Sequence, residues 1–386
     1  MMKQNNKKPS IMFIGGEDVR MRKSFLIALK KTGFNVYAAG SEDGVIFVKN
    51  DIPYFRYSLI RWINPIADIR SFFQLIKIFN QVKPDIIHAF DTKPALIAPI
   101  AASYSDVKMS VRTITGMGYV FSSDSLLAKA LKPVYKVSQR FASASSVTTI
   151  FQNTDDYNYF LENEMVEKNK AILVKGSGID IIEYDKKIAQ LQLQPGFKDS
   201  LGLTRKHIVL MVARLVKDKG VVEFLEASRQ IRKVRDDIDF VLVGPLSSEG
   251  KQAVPNSILE AYANDINYLG ERKDIPELMQ LCDCFVLPSY YREGVPRVLL
   301  EAGWHGKPIV TTDMPGCREI VKDGWNGLLI PPRDSVSLAH AIEKIIDMNE
   351  PEKKLFGQKS RKYIKQEFSL ERVLNAYTGI YSTALT

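Results

Sequence analysis

Two glutamates spaced for work on a polyhydroxyl ligand stand in YREGVPRVLLEAGWHGKPIV, where Glu293 and Glu301 form an E-x7-E arrangement. Gly294 and Pro296 break the chain between them, and the apolar spacing that follows predicts a helix. Glu293 is expected in the loop before that helix and Glu301 about two turns inside it. Gly294, Val295, Pro296 and Arg297 then form the helix N-terminus, whose amides favour anionic or oxygen-rich ligands. Carboxylates on either side accept hydrogen bonds from several hydroxyls at once, as sugars and ribose supply. The alternative is two unrelated surface glutamates. In VARLVKDKGVVEFLEA, Arg214 and Lys219 follow an apolar run and precede a helical one, with Gly220 available for a tight turn. Two cations at a strand's carboxyl end suit a diphosphate, although a lone pair of this kind is commonly just solvated.

Other candidates are sparser. Gly15 and Gly16 in FIGGEDVR follow the first apolar run. They are not a G-x-G-x-x-G fingerprint, but they allow a ligand to approach the backbone. Of the four histidines, His88 closes PDIIHAF and is expected at the edge of a cleft, whereas His207, His305 and His340 read as structural. No HExxH or clustered D-x-D at a strand end in the first half points to a protein-bound metal. Cys282, Cys284 and Cys317 lack zinc-ligand spacing and read as core thiols.

The elements that must position these residues alternate between short apolar runs and helical periods. Expected strands in the first half are 10–16, 34–40, 84–90, 109–116, 147–153 and 170–176, with a helix over 19–33. The pattern restarts at 207–215, 239–245, 266–270, 284–290 and 308–313, after a weakly periodic stretch near 177–200. Alternation of this kind means α/β architecture with mostly parallel sheets, whose ligands sit at the carboxyl ends of the strands. Two halves are expected, over 1–180 and 181–368, with a cleft between them. The tail 369–386 reads as an amphipathic helix, with Val373, Tyr377 and Tyr381 at spacing four.

Composition agrees with a soluble α/β chain. The 386 residues are 45% hydrophobic and 25% charged, which excludes disorder and a disulfide scaffold. No apolar run is long enough to span a membrane, and the N-terminus lacks a signal-like apolar segment. A cytoplasmic location is therefore expected. The net charge of +9 is uneven: residues 1–150 carry 21 Lys+Arg against 10 Asp+Glu. Within them, SSDSLLAKALKPVYKVSQRFASA places Leu126, Leu127, Leu131, Val134, Tyr135 and Phe141 among Lys129, Lys132, Lys136 and Arg140. Such a segment can lie on an anionic membrane, or pack on a core with a wet basic face. Pro133 is expected to kink or divide it. No nucleic-acid recognition motif accompanies the charge.

RLVKDKG, LGERKDIPELM, CFVLPSYYREGVPRVLLEAGWHGKPIVTTDMPGCREIVKDGWNGLLIPPRD and FSLERV together resemble family 4 of the retaining glycosyltransferases, of GT-B fold. HAFDTKPALIAPIAA and RTITGMGYVF look like a narrower bacterial group. That group transfers a sugar from UDP to a polyprenyl-diphosphate-linked saccharide in O-antigen, capsule and related glycan assembly. The resemblance implies two Rossmann-like domains and a last helix returning to the first. It implies that Glu301 binds ribose hydroxyls and that Glu293 sits against the donor sugar. Amides from Gly294 to Arg297 would hold sugar hydroxyls and phosphate. Arg214 and Lys219 would hold the diphosphate, the Gly15–Gly16 loop would close over it, and backbone near Arg272 would read the base. His88, Thr115 and Gly116 are candidates for the acceptor or donor cleft. Many members carry a T-x-H-G histidine where this chain has Thr113-Ile114-Thr115-Gly116, and a second histidine where it has Phe90. The implied enzyme needs a UDP-sugar but no cofactor or metal, and is peripheral on the inner face of the membrane through its basic N-terminal domain. The competing readings are a GT-B protein with a soluble acceptor or no transfer activity, and a nucleotide-sugar epimerase, which needs acid/base groups this chain is short of.

Overall fold

The computed structural model describes residues 8–60, 64–122, 125–246 and 252–383. The chain forms two compact units, one of residues 1–178 with 370–386, the other of residues 179–369.

In the first unit seven parallel strands are arranged in the order β3-β2-β1-β4-β5-β6-β7. They are β1 (Ser10–Ile14), β2 (Asn35–Gly40), β3 (Tyr54–Arg56), β4 (Ile86–Ala89), β5 (Met109–Ile114), β6 (Thr148–Phe151) and β7 (Ala171–Leu173). Both faces are covered, so the strands read as unbroken apolar runs rather than alternating ones. Ile11 and Phe13 of β1 face the Lys23–Lys31 and Leu370–Thr383 helices, while Met12 and Ile14 face the Pro65–Val82 and Pro94–Ala102 helices. The Leu126–Ala144 helix lies beside the latter pair, with Tyr135 buried against Ala95 and Phe151. Pro133 does not divide it. Leu127's side chain, Ser123 and Asp124 lie outside the described residues.

The last helix, Leu370–Thr383, belongs to the first unit and buries Val373, Tyr377 and Tyr381. Its polar atoms are matched as well as its apolar ones. The Tyr381 hydroxyl meets His88 Nδ1, and Tyr377 lies 3.4 Å from Thr113 Oγ1.

The second unit has six parallel strands in the order β10-β9-β8-β11-β12-β13. They are β8 (His207–Val212), β9 (Ile238–Val243), β10 (Asn267–Tyr268), β11 (Cys284–Leu287), β12 (Ile309–Thr312) and β13 (Gly327–Ile330). Cys282, Cys284 and Cys317 are all buried in this core, where desolvation pushes their thiols up.

Strand order reverses between β1 and β4 in one sheet and between β8 and β11 in the other. Loops leaving neighbouring strands at such a point diverge to opposite faces and open a ligand-sized crevice. Gly15–Gly16 follow β1, and Arg214 to Lys219 follow β8. Glu293 to Arg297 follow β11.

Four elements differ from the sequence reading. β3 and β13 were not foreseen. Tyr54–Arg56 is a three-residue edge strand, and Gly327–Ile330 follows a Trp-Asn-Gly turn. The stretch near 177–200 contains the Ile181–Gln190 helix, capped by the Asp180 carboxylate on Glu183 N. The helix expected over 19–33 begins as a 3-10 turn, Glu17–Arg22, before the α-helix Lys23–Lys31.

Candidate functional site

In the second unit the loops after β8 and β11 are stitched together through one carbonyl. Asp218 O accepts the amides of Tyr290 (2.9 Å) and Tyr291 (3.1 Å) and the Ser289 hydroxyl (3.2 Å). Gly220 makes this possible. Its φ is +75°, and an added Cβ would stand 2.1 Å from Pro288 O. The Lys217–Lys219 turn therefore ends against β11's loop, and Lys219 is aimed at Glu293. Lys219 Nζ donates to Glu293 Oε1 at 2.7 Å, and Ser289 Oγ donates to the same oxygen at 3.0 Å. The two charged side chains are only 15% and 16% exposed. Partial desolvation offsets much of such a pair's Coulombic gain, so its main effect is to hold cation and carboxylate in fixed positions. Gly316 backs the loop from behind, since its Cβ would meet Gly294 O at 2.6 Å and Glu293 O at 2.9 Å.

The helix Arg297–Trp304 follows, with Pro296 as N-cap and no side chain capping it. Glu301 is its fifth residue, so it lies one turn in, not two. That depth lets Arg297 Nε reach Glu301 Oε1 at 3.0 Å, as an i,i+4 pair does. Tyr184, from the Ile181–Gln190 helix, stands beside both. Burial and the neighbouring Glu301 charge push its phenol up, keeping it a neutral donor. Val295 packs against the core below. Arg214 leaves the end of β8 partly exposed. Arg272, after the edge strand β10, forms a fork with Asp274, Nε to Oδ1 at 2.8 Å and Nη2 to Oδ2 at 2.5 Å. Its guanidinium is committed to that pair, which leaves the main chain of this loop to meet a ligand.

The first unit places its candidates differently. Gly15 N donates to Ala39 O within the sheet, and Gly16 N donates to Asp91 Oδ2 at 3.2 Å. Both amides of the glycine loop thus have internal partners. Asp91, in the left-handed region at φ 67°, also takes the Thr115 hydroxyl at 3.5 Å. Tyr57 donates to Gly15 O at 2.8 Å, and burial and Asp91 push its phenol up. Gly116, with φ 122°, continues from Thr115. His88 is not at an edge. It is fully buried, with Nδ1 on Tyr381 and Nε2 2.7 Å from Thr113 Oγ1. Desolvation, helped by Arg22, holds its pKa well below the usual value. Position along β4 accounts for the difference, since a strand's penultimate residues still face a covered sheet.

Residues 195–363 match the family model for glycosyl transferases group 1, and residues 11–152 match that for glycosyl transferase 4-like domains. A Campylobacter jejuni N,N'-diacetylbacillosaminyl-diphospho-undecaprenol alpha-1,3-N-acetylgalactosaminyltransferase is 31% identical over 74% of each chain. The chain belongs to the family 4 glycosyltransferases. An Escherichia coli UDP-Gal:alpha-D-GlcNAc-diphosphoundecaprenol alpha-1,3-galactosyltransferase is 30% identical, over 76% of this glycosyltransferase and 74% of its own length. Among solved structures, a glycosyltransferase from Rickettsia africae superposes with TM-score 0.78 at 19% identity, covering 98% of this chain and 99% of that one. Anabaena HepE, solved in complex with UDP, gives 0.75 at 20% identity over 97% and 100%. The fold of this glycosyltransferase is accordingly GT-B, built of two Rossmann-like units.

Sequence reasoning missed four residues of this glycosyltransferase's strand-end clusters. Ser289 and Tyr184 serve the paired glutamates, and Asp91 and Tyr57 serve the glycine loop. Ile181, Tyr184 and Ile188 do carry a helical spacing, and all three pack against the second core. Asp91 was visible as a carboxylate directly after an apolar run. Nothing in the sequence marked Tyr57, whose partner is a carbonyl 42 residues away.

Proposed function

We propose that this glycosyltransferase moves a hexose or N-acetylhexosamine from a UDP-sugar to a polyprenyl-diphosphate-linked saccharide in cell-surface glycan assembly. The observation that carries the reading is the pair of carboxylates flanking an uncapped helix N-terminus, each with its own cation: Glu293 with Lys219, and Glu301 with Arg297. The names of the relatives support it. The two at 31% and 30% identity are named for diphospho-undecaprenol-linked acceptors, and a third, from Staphylococcus aureus, for capsular polysaccharide biosynthesis.

Glu301 takes the ribose hydroxyls, and Glu293 orients the donor sugar. Arg214 and Lys219 hold the diphosphate, with the Gly294–Arg297 turn against it. The chain around Arg272 borders the base. The Gly15–Gly16 loop serves the donor diphosphate, and Thr115 and Gly116 line the acceptor or donor cleft. The sugar–phosphate bond breaks with its electron pair passing to the β-phosphate oxygen. The acceptor hydroxyl attacks the same face, so the anomeric configuration is retained, and its proton passes to the departing diphosphate. Cations and helix dipoles aimed at that charge supply the stabilisation, without a metal. The enzyme works as a peripheral protein on the inner face of the membrane.

The test is a panel of labelled UDP-sugars with purified protein and polyprenyl-diphosphate saccharides. Label entering the lipid phase from one donor, and lost in Glu301→Ala, is the expected result. UDP binding without transfer to any lipid-linked saccharide would overturn the acceptor assignment.

A further inference from the structure

The first unit has a cavity at the end of its sheet away from the glycine loop. It lies at the amino ends of β5, β6 and β7, where the Pro94–Ala102 and Leu126–Ala144 helices finish, and has a volume of about 500 Å³. Gly16, Asp91 and Thr115 follow the carboxyl ends of their strands, so the length of the sheet separates them from it. None of the residues assigned to sugar transfer lines this cavity.

Its floor carries an unanswered polar group. Met109 and Val111 of β5 face the core shared with the last helix, so strand alternation turns Ser110 the other way, toward Leu126–Ala144. Ser110 is 5% exposed, lines the cavity, and its hydroxyl has no partner. A buried hydroxyl in that state is destabilising, and native chains keep few of them. Arg112 comes next on the same face of β5 and is fully buried. Its partners are all neutral. Nε donates to Thr149 Oγ1 at 2.9 Å, Nη1 to Gln139 Oε1 at 2.6 Å and Nη2 to Gln139 O at 3.2 Å. Because Arg112 takes the amide oxygen of Gln139, the amide nitrogen turns away, and it too is buried without a partner. This face of β5 thus has a surplus of donors beside a cation whose charge nothing there balances.

The rest of the lining adds to the imbalance. Lys108 and Lys170 border the cavity, and no carboxylate is among the described residues that line it. Each lysine has an acid outside, Lys108 with Asp85 at 2.7 Å and Lys170 with Glu167 at 3.0 Å. Asp85 is shared, since it also accepts from Ser10 N and Oγ. The helix-end serines supply the opposite character. Ser103 Oγ donates to Ile100 O and Ser146 Oγ donates to Ala142 O, both at 2.7 Å, which leaves the two hydroxyl oxygens as acceptors. A ligand that fits such a lining carries one anionic group beside several hydroxyls.

We propose that this cavity is a second saccharide site, binding a monosaccharide that bears a phosphate or a carboxylate. The anion lies against Ser110 and the two lysines, and the sugar hydroxyls lie against Ser103 and Ser146. The full chain, saturated with UDP, is titrated calorimetrically with glucose 6-phosphate, glucuronate, glucose and inorganic phosphate. One of the two anionic sugars is expected to bind at least tenfold more tightly than glucose or inorganic phosphate, and which one does so separates phosphate from carboxylate. Ser110→Ala should weaken that binding about tenfold. Without ligand it should melt no lower than the wild type, because it removes a buried hydroxyl that has no partner. Lys108→Ala/Lys170→Ala should weaken binding by at least as much. Absence of binding by both anionic sugars would overturn the proposal, as would inorganic phosphate binding as tightly as either. Wild-type affinity in both variants would do the same. So would an anionic sugar that binds only when UDP is left out, since it would then occupy the nucleotide's own site.

Discussion

The two units solve the same topological problem with opposite chemistry. Each is a parallel sheet whose strand order reverses beside its first strand, and each sets loops around that reversal. In the second unit the loops are held by charge: Lys219 on Glu293, and Arg297 on Glu301. In the first they are held by neutral donors and one carboxylate, with Tyr57 on Gly15 and Gly16 on Asp91. Even the histidines differ. His88 has both ring nitrogens occupied, whereas His305 Nε2 is buried without a partner in the described structure. A diphosphate leaving group requires fixed cations nearby, which leaves a recognisable residue pattern. A site for a saccharide acceptor needs shape and scattered hydrogen bonds, which leave little.

The contrast is sharpened most by Arg214→Ala. If the second unit stabilises the departing diphosphate, turnover should drop by roughly 10²–10³-fold with a much smaller change in KM for the donor. A change in KM alone would reassign Arg214 to ground-state binding. Next comes the Lys219–Glu293 pair. Each single variant, Lys219→Met and Glu293→Gln, should cost donor affinity about 1.5–3 kcal/mol, and a double-mutant cycle should show the two losses to be non-additive. Additive losses would mean that each acts on the ligand separately, and that the contact between them is incidental.

Acid sensitivity tests the first unit. His88 is held neutral in the folded chain, so protonation near pH 6.5 favours the unfolded one. Its contribution is complete above that value. It is lost as pH falls, at about 1.4 kcal/mol per pH unit until the folded pKa is reached. His305 adds a similar slope that ends at its own depressed value of about 4. Denaturant titrations between pH 7 and 5 should show His88→Gln flattening the slope of the unit that contains the Leu370–Thr383 helix. An unchanged slope would mean that His88 titrates normally. The smallest effect expected is that of Asp91→Asn, which keeps an acceptor for Gly16 N while removing the charge. Acceptor KM should hold, and donor KM should rise by a few-fold, on the order of 1 kcal/mol. A change confined to acceptor KM would move Asp91 to the other substrate.

The same contrast explains what could be read beforehand. Apart from β3 and β13, the strands of both sheets were legible because strands buried on two faces are continuous apolar runs, and Ile11–Ile14 and Phe240–Val243 show this plainly. The E-x7-E pair was legible because charge beside Gly and Pro is rare inside a core. Depth along a helix was not, because the start at Arg297 depends on Pro296 as cap rather than on the earlier glycine. His88 was misplaced because exposure at a strand's end depends on what covers the sheet there, and the cover comes from Tyr381, 293 residues later. Asp91 and Tyr57 act through backbone atoms, which are the same in every sequence.

That late cover bears on the order in which the protein is made. The second unit closes with Ser369, and everything in its core has been synthesised by then. The first unit, begun earlier, lacks Val373, Tyr377 and Tyr381 until the final helix has left the ribosome. Until then Phe13, Phe25 and His88 lie on a face without its cover, although chain growth at about 5–20 residues per second gives most domains time to close as they emerge. The N-terminal half is therefore the last to finish folding, and a nascent chain stopped before Leu370 would hold one completed unit, the one translated second.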